Sequence, residues 1–381
     1  MDQFSEIRAS YEAGRALPGL AYRDQDVYEA EVAEMFRTGW TSITCGQNVP
    51  NSGDLFPVRI AGQSLFVARE EEGRVRVFYN LCRHRGARLV DEPCHARGGR
   101  ISCPYHAWVY GIDGQFKSAP HLHRDEKRGP LTQKEMDSRG LISIRSAVWR
   151  DIVFVNLSGD AKPFEDFIRP LAERITHWPE SELRPLCTDE YEIQANWKLA
   201  AENFLDVYHL PVVHAQLGVD FNPALSTEHV EVSDDIVGFV MHQAYGDDSG
   251  QEEWILPRFP DLGADRQKRL EGFSIFPNTL LIVEPDCAQV IVLRPQSAEV
   301  TSETFANYVV SDASQAESMA VEREELRRDS IKVNDQDAIL LAGLQQTRSM
   351  DVGGDTQPSE AWDATPQSFQ RIWARKLLAG R

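Results

Sequence analysis

The sequence predicts an α+β protein with two domains, an N-terminal antiparallel β domain and a helix-grip domain in which an antiparallel sheet surrounds one long helix. Three observations favour this class. A chain of 381 residues is long enough for two domains of ordinary size. Between residues 41 and 157, short runs of alternating apolar and polar residues are separated by glycine-bearing turns. In the second half, strand-like runs precede a segment of helical periodicity at residues 314–347.

We place the domain limits at residues 1–40, 41–157 and 158–381. The first segment is expected to be helical and to pack on the C-terminal domain. Its clearest helix is predicted at Gln25–Gly39, where apolar residues recur at near-helical spacing and Gly39 supplies a stop.

The β domain is predicted to consist of short strands joined by tight turns at Gly53, Gly62 and Gly73. A hairpin with its turn at Asp113–Gly114 follows. The expected strands are T-S-I-T-C-G, D-L-F-P-V-R-I, S-L-F-V-A-R, V-R-V-F-Y-N, the hairpin W-V-Y-G-I-D-G-Q-F, and I-V-F-V-N-L.

The second half begins with a connector, residues 163–186, that is predicted to be helical although three prolines interrupt it. A strand, D-E-Y-E-I-Q-A-N, follows. Further strands are expected at residues 237–241, 273–276, 279–283, 289–295 and 304–310, and helices at 314–347 and 366–378.

Composition limits the possible functions. The formal net charge of −19 argues against nucleic-acid binding, which requires clustered lysine and arginine, and is compatible with a basic redox partner. Six cysteines without a framework spacing indicate a reducing compartment rather than a disulfide scaffold. The N-terminus lacks a signal-like pattern and no run of about 18 apolar residues occurs, so we expect a soluble cytoplasmic protein without a membrane span.

The stretch Asn80–Trp108 contains two mixed pairs of potential metal ligands. Cys82 and His84 form a Cys-x-His pair, and Cys103 and His106 form a Cys-x-x-His pair. Such a set can hold a [2Fe-2S] cluster in which histidine replaces cysteine on one iron, which raises the reduction potential to about −150 to +300 mV from about −400 mV. A Cys2His2 zinc site is the alternative, although zinc fingers usually pair like residues.

The motifs C-R-H-R-G and C-P-Y-H-A-W resemble the two cluster loops of the Rieske non-haem iron, or ring-hydroxylating, oxygenases. The resemblance implies that Cys82 and Cys103 bind the inner iron of a Rieske cluster and that His84 and His106 bind the outer one.

The eighteen residues between the two ligand pairs are slightly more than expected for the family. We place the excess in the loop Glu92–Gly99, which is rich in turn formers. Cys94 and His95 in this loop are adjacent, cannot reproduce either mixed spacing, and are interpreted as surface residues.

A second candidate site lies within Asn196–Gln216. His209 and His214 are five residues apart, about 140° around an ideal helix, and Pro211 between them interrupts helical hydrogen bonding. We predict that the helix ends near His209 and that the next turn returns His214 to it. Two imidazoles and one carboxylate form the facial triad of oxygen-activating Fe(II). One buried and one surface histidine without a metal is the alternative.

The segment E-N-F-L-D-V-Y-H-L-P-V-V-H is similar to the mononuclear-iron segment of the same family. The resemblance implies that His209 and His214 are iron ligands and that Asp206 links the two metal centres. Asp206 and Asn203 are the expected catalytic residues. Because Asp206 precedes His209 by three residues, helical geometry would put both on one face.

The third ligand is expected in V-N-D-Q-D-A-I-L-L-A-G-L-Q of the long helix. Asp337 shares a face with Val333 and Leu341, and a carboxylate in apolar surroundings requires a compensating cation. Asp335 lies on a neighbouring face, so periodicity alone favours Asp337 only mildly. Gln336 directly before Asp337 fits the polar residue that the family usually has there.

The resemblance implies a terminal oxygenase that uses O2 and electrons from a separate NAD(P)H-dependent reductase, since no nicotinamide- or flavin-binding G-x-G-x-x-G motif is present. A ferredoxin could lie between the two. The family is typically trimeric, with the cluster of one subunit serving the iron of the next, so a homotrimer is expected.

A Rieske electron carrier without oxygenase activity is the rival, but a carrier does not need His209, His214 and Asp337.

The substrate prediction rests on finer detail. The arginine at position 83, in C-R-H-R-G, resembles the cluster loop of the aromatic-ring dioxygenases. The segment Asn203–His209, however, is one residue shorter than the matching segment of naphthalene-type enzymes. In this length it resembles the monooxygenases of carnitine and glycine betaine. Those enzymes often have glutamate in place of Asp206. We favour a monooxygenase or N-demethylase of a quaternary or polar amine over an aromatic-ring dioxygenase. Aromatic faces suit a quaternary cation, and the candidates are Phe204, Tyr208, Phe221, Phe239, Tyr245, Trp254, Phe273 and Phe276.

Overall fold

The computed structural model describes residues 3–122, 130–217, 227–242, 256–350, 352 and 356–379. The chain forms two compact units, one of Ser42–Asp160 and one that combines Met1–Thr41 with Ala161–Arg381. Both units contain helices and antiparallel sheets. The predicted α+β class is therefore confirmed.

Small antiparallel sheets make up the unit of residues 42–160, with strand orders β1-β10-β9, β4-β3-β2-β5 and β6-β7-β8. The strands are β1 Thr41–Cys45, β2 Asp54–Ile60, β3 Gln63–Arg69, β4 Val75–Tyr79, β5 Cys94–His95, β6 Arg100–Ser102, β7 Val109–Gly111, β8 Phe116–Ser118, β9 Arg145–Trp149 and β10 Ile152–Asn156. The predicted strands are all present, and the hairpin turns at Asp113–Gly114 as expected.

The glycine turns have a backbone reason. Gly53, Gly62 and Gly73 have φ of 96°, 73° and 77°, in the region that other residues rarely adopt. At Gly53 a side chain is also excluded sterically, because a Cβ atom would lie 2.5 Å from the imidazole ring of His95.

The other unit is built on a seven-stranded antiparallel sheet with the order β11-β17-β16-β15-β14-β13-β12. Its strands are β11 Leu183–Ile193, β12 Thr227–Ser233, β13 Ile236–His242, β14 Arg269–Ile275, β15 Thr279–Val283, β16 Cys287–Pro295 and β17 Thr301–Val310. The helices of the chain are α1 Gln3–Glu12, α2 Leu20–Arg23, α3 Gln25–Glu31, α4 Gln133–Asp137, α5 Phe164–Arg174, α6 Trp197–Leu205, α7 Leu210–Val213, α8 Ala320–Arg348 and α9 Ala364–Leu378.

Several elements differ from the sequence prediction, and strands β5, β6 and β9 were not predicted. The connector is helical only over α5, and β11 begins at Leu183, because residues 183–188 pair with β17 instead of continuing the helix. The long helix α8 begins at Ala320, six residues later than predicted, after two short 3₁₀ turns. Strand β12 was not predicted, since its alternating T-E-H-V-E-V-S run has polar residues on one face and few apolar ones on the other.

A buried ion pair fixes helix α6, which leads to the second candidate site. Lys198 and Glu31 are both fully buried and are hydrogen-bonded to each other. Glu31 also accepts hydrogen bonds from the indoles of Trp197 (2.9 Å) and Trp373 (2.8 Å). Removing one partner of a buried pair typically costs about 3–5 kcal/mol. The pair thus holds α3, α6 and α9 together.

Candidate active site

Two loops of the unit of residues 42–160 share one backbone pattern. The amide of Cys82 donates to the carbonyl of Ala87 (2.7 Å), and the amide of Cys103 donates to the carbonyl of Trp108 (2.8 Å). In both loops the amide four residues after the cysteine donates back to the cysteine carbonyl, at 2.9 and 3.0 Å. Each loop therefore presents its cysteine and the following histidine in a closed turn.

The thiols and the imidazoles have different surroundings. Cys82 and Cys103 are 1% and 3% exposed, whereas His84 and His106 are exposed, with their ring centroids 4.8 Å apart. Burial raises the pKa of the Cys82 thiol, although the hydroxyl of Tyr110, 3.2 Å from its sulfur, opposes this rise by hydrogen bonding. Buried thiols at the base and accessible imidazoles at the rim fit a cluster with an inner and an outer iron.

The spacing of these four donors favours two metal ions over one. Donor atoms on a single tetrahedral zinc lie within about 4 Å of one another, because the bonds are about 2.0–2.3 Å long. Among the described residues, sets of three or more donor atoms within 4.8 Å of one another occur elsewhere but not at these four side chains. The arrangement fits a two-iron cluster better than a Cys2His2 zinc site.

The neighbouring Cys94 and His95 lie apart from this set in strand β5. Their backbones pair with Leu55 and Asp54 of β2, and the His95 imidazole contacts the Asp54 carboxylate at 3.0 Å. Cys94 is exposed. Both residues thus belong to a sheet edge.

The second candidate site begins where α6 ends. The helix stops at Leu205 rather than near His209, and Asp206 has an extended backbone with φ −89° and ψ 105°. The prediction that Asp206 and His209 lie on one face of a helix is therefore wrong. The chain turn nevertheless brings Asp206 Oδ2 to 3.5 Å from His209 Nδ1. His209 then caps the short helix α7, in whose first turn Pro211 needs no hydrogen-bonded amide.

His209, His214 and Asp337 meet in three dimensions. Asp337 Oδ1 lies 3.0 Å from His214 Nε2 and 3.6 Å from His209 Nε2. Two ligand atoms about 2.1 Å from one octahedral ion and at right angles are about 3.0 Å apart. The three donor atoms therefore have the separations of ligands to a single ion.

Hydrogen bonding shows that these atoms suit a cation. Gln336 Oε1 accepts from the side-chain amide of Gln216 (2.7 Å) and lies 2.9 Å from His214 Nδ1, so Nδ1 carries the imidazole proton. The lone pair of Nε2 then faces the Asp337 carboxylate. Both nitrogens of His209 are buried without a hydrogen-bond partner among the described residues. The fit to the family's mononuclear iron is thus good.

The Asp337 carboxylate also favours a positive charge at His214. Burial lowers the pKa of His214, but hydrogen bonds to Asp337 and Gln336 and the charge of Asp337 outweigh burial, so the pKa is raised overall. A bound cation would take the place of the extra proton. Asp335, the alternative ligand, is exposed on α8 and is outside this group.

The three donors open onto a cavity of about 330 Å³ between the sheet and α8. Its wall includes both expected catalytic residues, Asn203 and Asp206, and its remaining members are mostly apolar. Of the predicted aromatic residues, Phe204 and Phe239 line it. Tyr208 stacks on Trp362, Phe273 and Phe276 are buried in the core, and Phe221, Tyr245 and Trp254 lie outside the described residues.

Two cavity residues were not predicted from the sequence. Phe305 and Glu303 lie two residues apart on β17 and so face the same side of the sheet. Burial, together with the charge of Asp337 and partly offset by Arg294, raises the pKa of Glu303 to about 8. The alternating pattern of β17 could have indicated this face, but only pairing with β16 shows that it lines a cavity.

The fold and the two donor sets define a class: an oxidoreductase with a Rieske-type centre and a two-histidine, one-carboxylate iron site. The family description "Ring hydroxylating alpha subunit (catalytic domain)" matches residues 181–379, and "Rieske [2Fe-2S] domain" matches residues 39–143. The chain belongs to the ring-hydroxylating oxygenase alpha subunits. The predicted family, enzyme class and pair of iron cofactors are thereby confirmed.

Characterised relatives include amine oxygenases. The chain is 26% identical over 305 residues to the carnitine monooxygenase oxygenase subunit of Escherichia coli, covering 78% of this chain and 75% of that one. It is 25% identical over 258 residues to the glycine betaine monooxygenase oxygenase subunit of Chromohalobacter salexigens, covering 68% of this chain and 56% of that one. The second alignment thus spans little more than half of the relative.

The same fold occurs in an aromatic-ring enzyme. Naphthalene 1,2-dioxygenase of Rhodococcus sp. superimposes with a TM-score of 0.79 at 19% identity, covering 99% of this chain and 98% of that one. At this identity the likeness shows the fold alone.

In the described part of the chain, no helix combines the length and the apolar character that crossing a bilayer requires.

Replacing a buried thiol should remove the cluster. We expect Cys103→Ser to lose the [2Fe-2S] centre, measured as loss of about two iron atoms per chain and of the Rieske-type EPR signal after reduction. Cys94→Ser, a change at the exposed cysteine of the same domain, is the matched control and should retain both. Purified wild-type protein that contains zinc instead of iron at this site would contradict the assignment.

The two aspartates of α8 provide a second matched pair. Asp337→Asn should reduce the content of mononuclear iron at least tenfold, because a neutral amide is a weak iron ligand, while the cluster signal stays intact. Asp335→Asn changes the same charge two residues away and should leave the iron content unchanged. Equal iron content in the two variants would argue against Asp337 as the third ligand.

Proposed function

We propose that this chain is the terminal oxygenase component of a multicomponent Rieske oxygenase, and that it hydroxylates an N-methyl group of a quaternary or polar amine. The observation that carries the proposal is the group His209, His214 and Asp337 at the wall of a largely apolar cavity, in a chain that also holds a Rieske domain. A Rieske electron carrier would have no use for this group.

In the proposed assignment, Cys82, His84, Cys103 and His106 hold the cluster, and His209, His214 and Asp337 hold the mononuclear iron. When bound, these groups supply stored electrons and an oxygen-activating centre with open coordination positions. The remaining chemistry is done by the residues of the chain.

Asp206 and Gln336 orient the two imidazoles. Gln336 accepts the Nδ1 proton of His214, and Asp206 lies 3.5 Å from Nδ1 of His209, close enough to accept its proton after a small shift. Each partner fixes the tautomer in which Nε2 faces Asp337, and acceptors of this kind commonly tune ligand imidazoles. Asp206 lies on the cavity wall as well, so it is placed to hold a proton beside the substrate.

The cavity wall serves substrate binding and excludes water. Apolar strand residues of β13 to β17 form one side, and Phe204 and Phe239, with ring centroids 6.1 Å apart, supply aromatic faces. A cation against an aromatic face gains about 0.5–2 kcal/mol. Glu303 is a further acidic group near the iron ligands, and a cation beside it would lower its pKa from the value of about 8 to which burial raises it.

An aromatic-ring dioxygenase is the second candidate, since the same fold serves naphthalene dioxygenase and the wall is largely apolar. The separate reductase, with or without a ferredoxin, the homotrimer and the cytoplasmic location remain predictions that follow from membership of the family. Trimer formation can be checked by sedimentation equilibrium of the purified protein.

A charge test separates the two candidates. Two substrates that differ only in a trimethylammonium or an isosteric tert-butyl group have the same shape but different charge. We expect the ammonium compound to be turned over at least tenfold more efficiently, with formaldehyde release measured against O2 consumption in the presence of a reductase. Equal efficiency of the pair, or cis-diol formation from an aromatic ring, would replace the amine proposal with ring dioxygenation.

Asp206→Asn should lower product formation without loss of either metal centre. The amide keeps the size of the side chain but cannot hold the proton of His209, so we expect both metals and a reducible cluster to be retained while product formation falls at least a hundredfold. Iron analysis, EPR and single-turnover product yield measure these effects. Loss of the mononuclear iron in this variant would instead identify Asp206 as a ligand.

A further inference from the structure

Several acidic side chains line the cavity. Among the described residues that line the cavity, none is lysine or arginine. The acidic members are Asp206, Glu284, Glu303, Asp329 and Asp337. The two internal segments that flank β12 and β13 in sequence and are not described, residues 218–226 and 243–255, contain neither lysine nor arginine.

This wall is unsuited to a substrate carboxylate. A buried carboxylate is unfavourable unless a cation or several hydrogen-bond donors compensate it. Here it would find no such cation among the described lining residues. Glu303 and Glu284, whose pKa is raised to about 8 mainly by burial, are largely protonated near neutral pH, and a cation next to them favours their ionised form. The carboxylate of a zwitterion opposes this ionisation, so amino acids and betaines are poorer ligands for this cavity than cations.

The acidic residues lie at two ends of the cavity. Glu303 pairs with Leu293 on the neighbouring strand, and the charge of Asp337 acts on it, so it marks the end with the iron ligands. Glu284 lies at the turn between β15 and β16, where its amide donates to the carbonyl of Cys287 (2.9 Å). From Leu293 to Cys287 the strand extends over six residues, about 20 Å at about 3.3 Å per residue.

Glu284 is available for a ligand. Its side chain lines the cavity and has no hydrogen-bond or ion-pair partner among the described residues. Burial, and then the charge of Asp286, raises its pKa to about 8. Asp286 and Cys287 face it from the same hairpin, with ligand atoms within 4.8 Å, and Asp329 contributes a further negative charge to the wall from α8. No described cation of the wall neutralises this group.

We propose that the substrate is a diamine without a carboxylate, whose methylated nitrogen lies at the iron ligands and whose second, protonated amine binds Glu284. The inference rests on the proposed amine oxygenation and goes beyond it, since it assigns the far end of the cavity to a second cation. The backbone span of about 20 Å is an upper limit for the separation of the two nitrogens, because both binding groups face the cavity from within that span.

Three ligands of equal length test this inference by calorimetric titration of the oxidised holoenzyme, which cannot turn over. They are (6-aminohexyl)trimethylammonium, heptyltrimethylammonium and 7-(trimethylammonio)heptanoate, which end in an ammonium, a methyl and a carboxylate group. We expect the diamine to bind at least tenfold more tightly than the heptyl compound and the carboxylate to bind most weakly. A carboxylate that binds as tightly as the diamine would overturn the proposal.

Glu284→Gln assigns the effect to one side chain. The variant should bind the diamine at least tenfold more weakly and the heptyl compound as before, and the unchanged heptyl affinity also shows that it is folded. Glu192→Gln, which removes the same charge from an exposed site on β11, is the matched control and should change neither affinity. A diamine preference that survives Glu284→Gln would refute the role of Glu284. If this variant does not fold, the ranking of the three ligands on the wild-type protein still decides the substrate class.

The binding experiment is independent of the proposed reaction. If the diamine binds through Glu284 but the reduced enzyme with O2 releases no formaldehyde from it, amine oxygenation fails while the binding site stands. If amines are oxygenated but betaines bind as tightly as the diamine, the proposed function stands and the diamine inference fails.

Discussion

The arrangement of the catalytic unit depends on one constraint: Asp337 must reach two imidazoles that lie more than 120 residues away in sequence. The contacts of 3.0 and 3.6 Å join the turn after α6 to the middle of α8. Acceptor atoms this close repel each other unless a proton or a cation lies between them. The surrounding structure must therefore hold both elements rigidly. The fully buried Lys198–Glu31 pair does so for α6, and the hydrogen bonds of Gln336 do so for the contact between α7 and α8.

The two donor sets differ in exposure, and the difference matches their tasks. The imidazoles of His84 and His106 are exposed, which suits a centre that receives and passes on electrons. His214 is fully buried, and the cavity beside it is walled by apolar strands, which keeps bulk water from the site where the substrate reacts. The sequence already contains this contrast. C-R-H-R-G is a polar loop, whereas in H-L-P-V-V-H four apolar residues stand between the two histidines.

Local chemistry explains which parts could be predicted from the sequence. Cys82, His84, Cys103 and His106 share short motifs, and the glycines of positive φ mark the turns, so most strands of the first domain could be predicted, although β5, β6 and β9 were missed. The end of α6 was predicted too late. The Asp206 carboxylate accepts a hydrogen bond from the amide of Tyr208 (2.7 Å), a local turn that ends the helix at Leu205 and that apolar periodicity does not show. Periodicity also left Asp335 and Asp337 nearly equal. Only the position of α8 relative to His214 distinguishes them.

The cavity wall was the part of the structure that the sequence predicted least well, because its acidic residues come from different elements. Glu303 lies on β17, Glu284 at the turn after β15, and Asp337 on α8, and their proximity to one cavity follows from the antiparallel register of the sheet. The iron ligands are confined to two segments, so the other strands can change without disturbing them. A fold shared with both amine and ring-hydroxylating oxygenases can therefore change its substrate through the inward-facing positions of these strands. In this chain those positions include acidic side chains and, among the described residues, no lysine or arginine. In the proposed function, the wall rather than the iron site therefore selects the molecule that is oxidised.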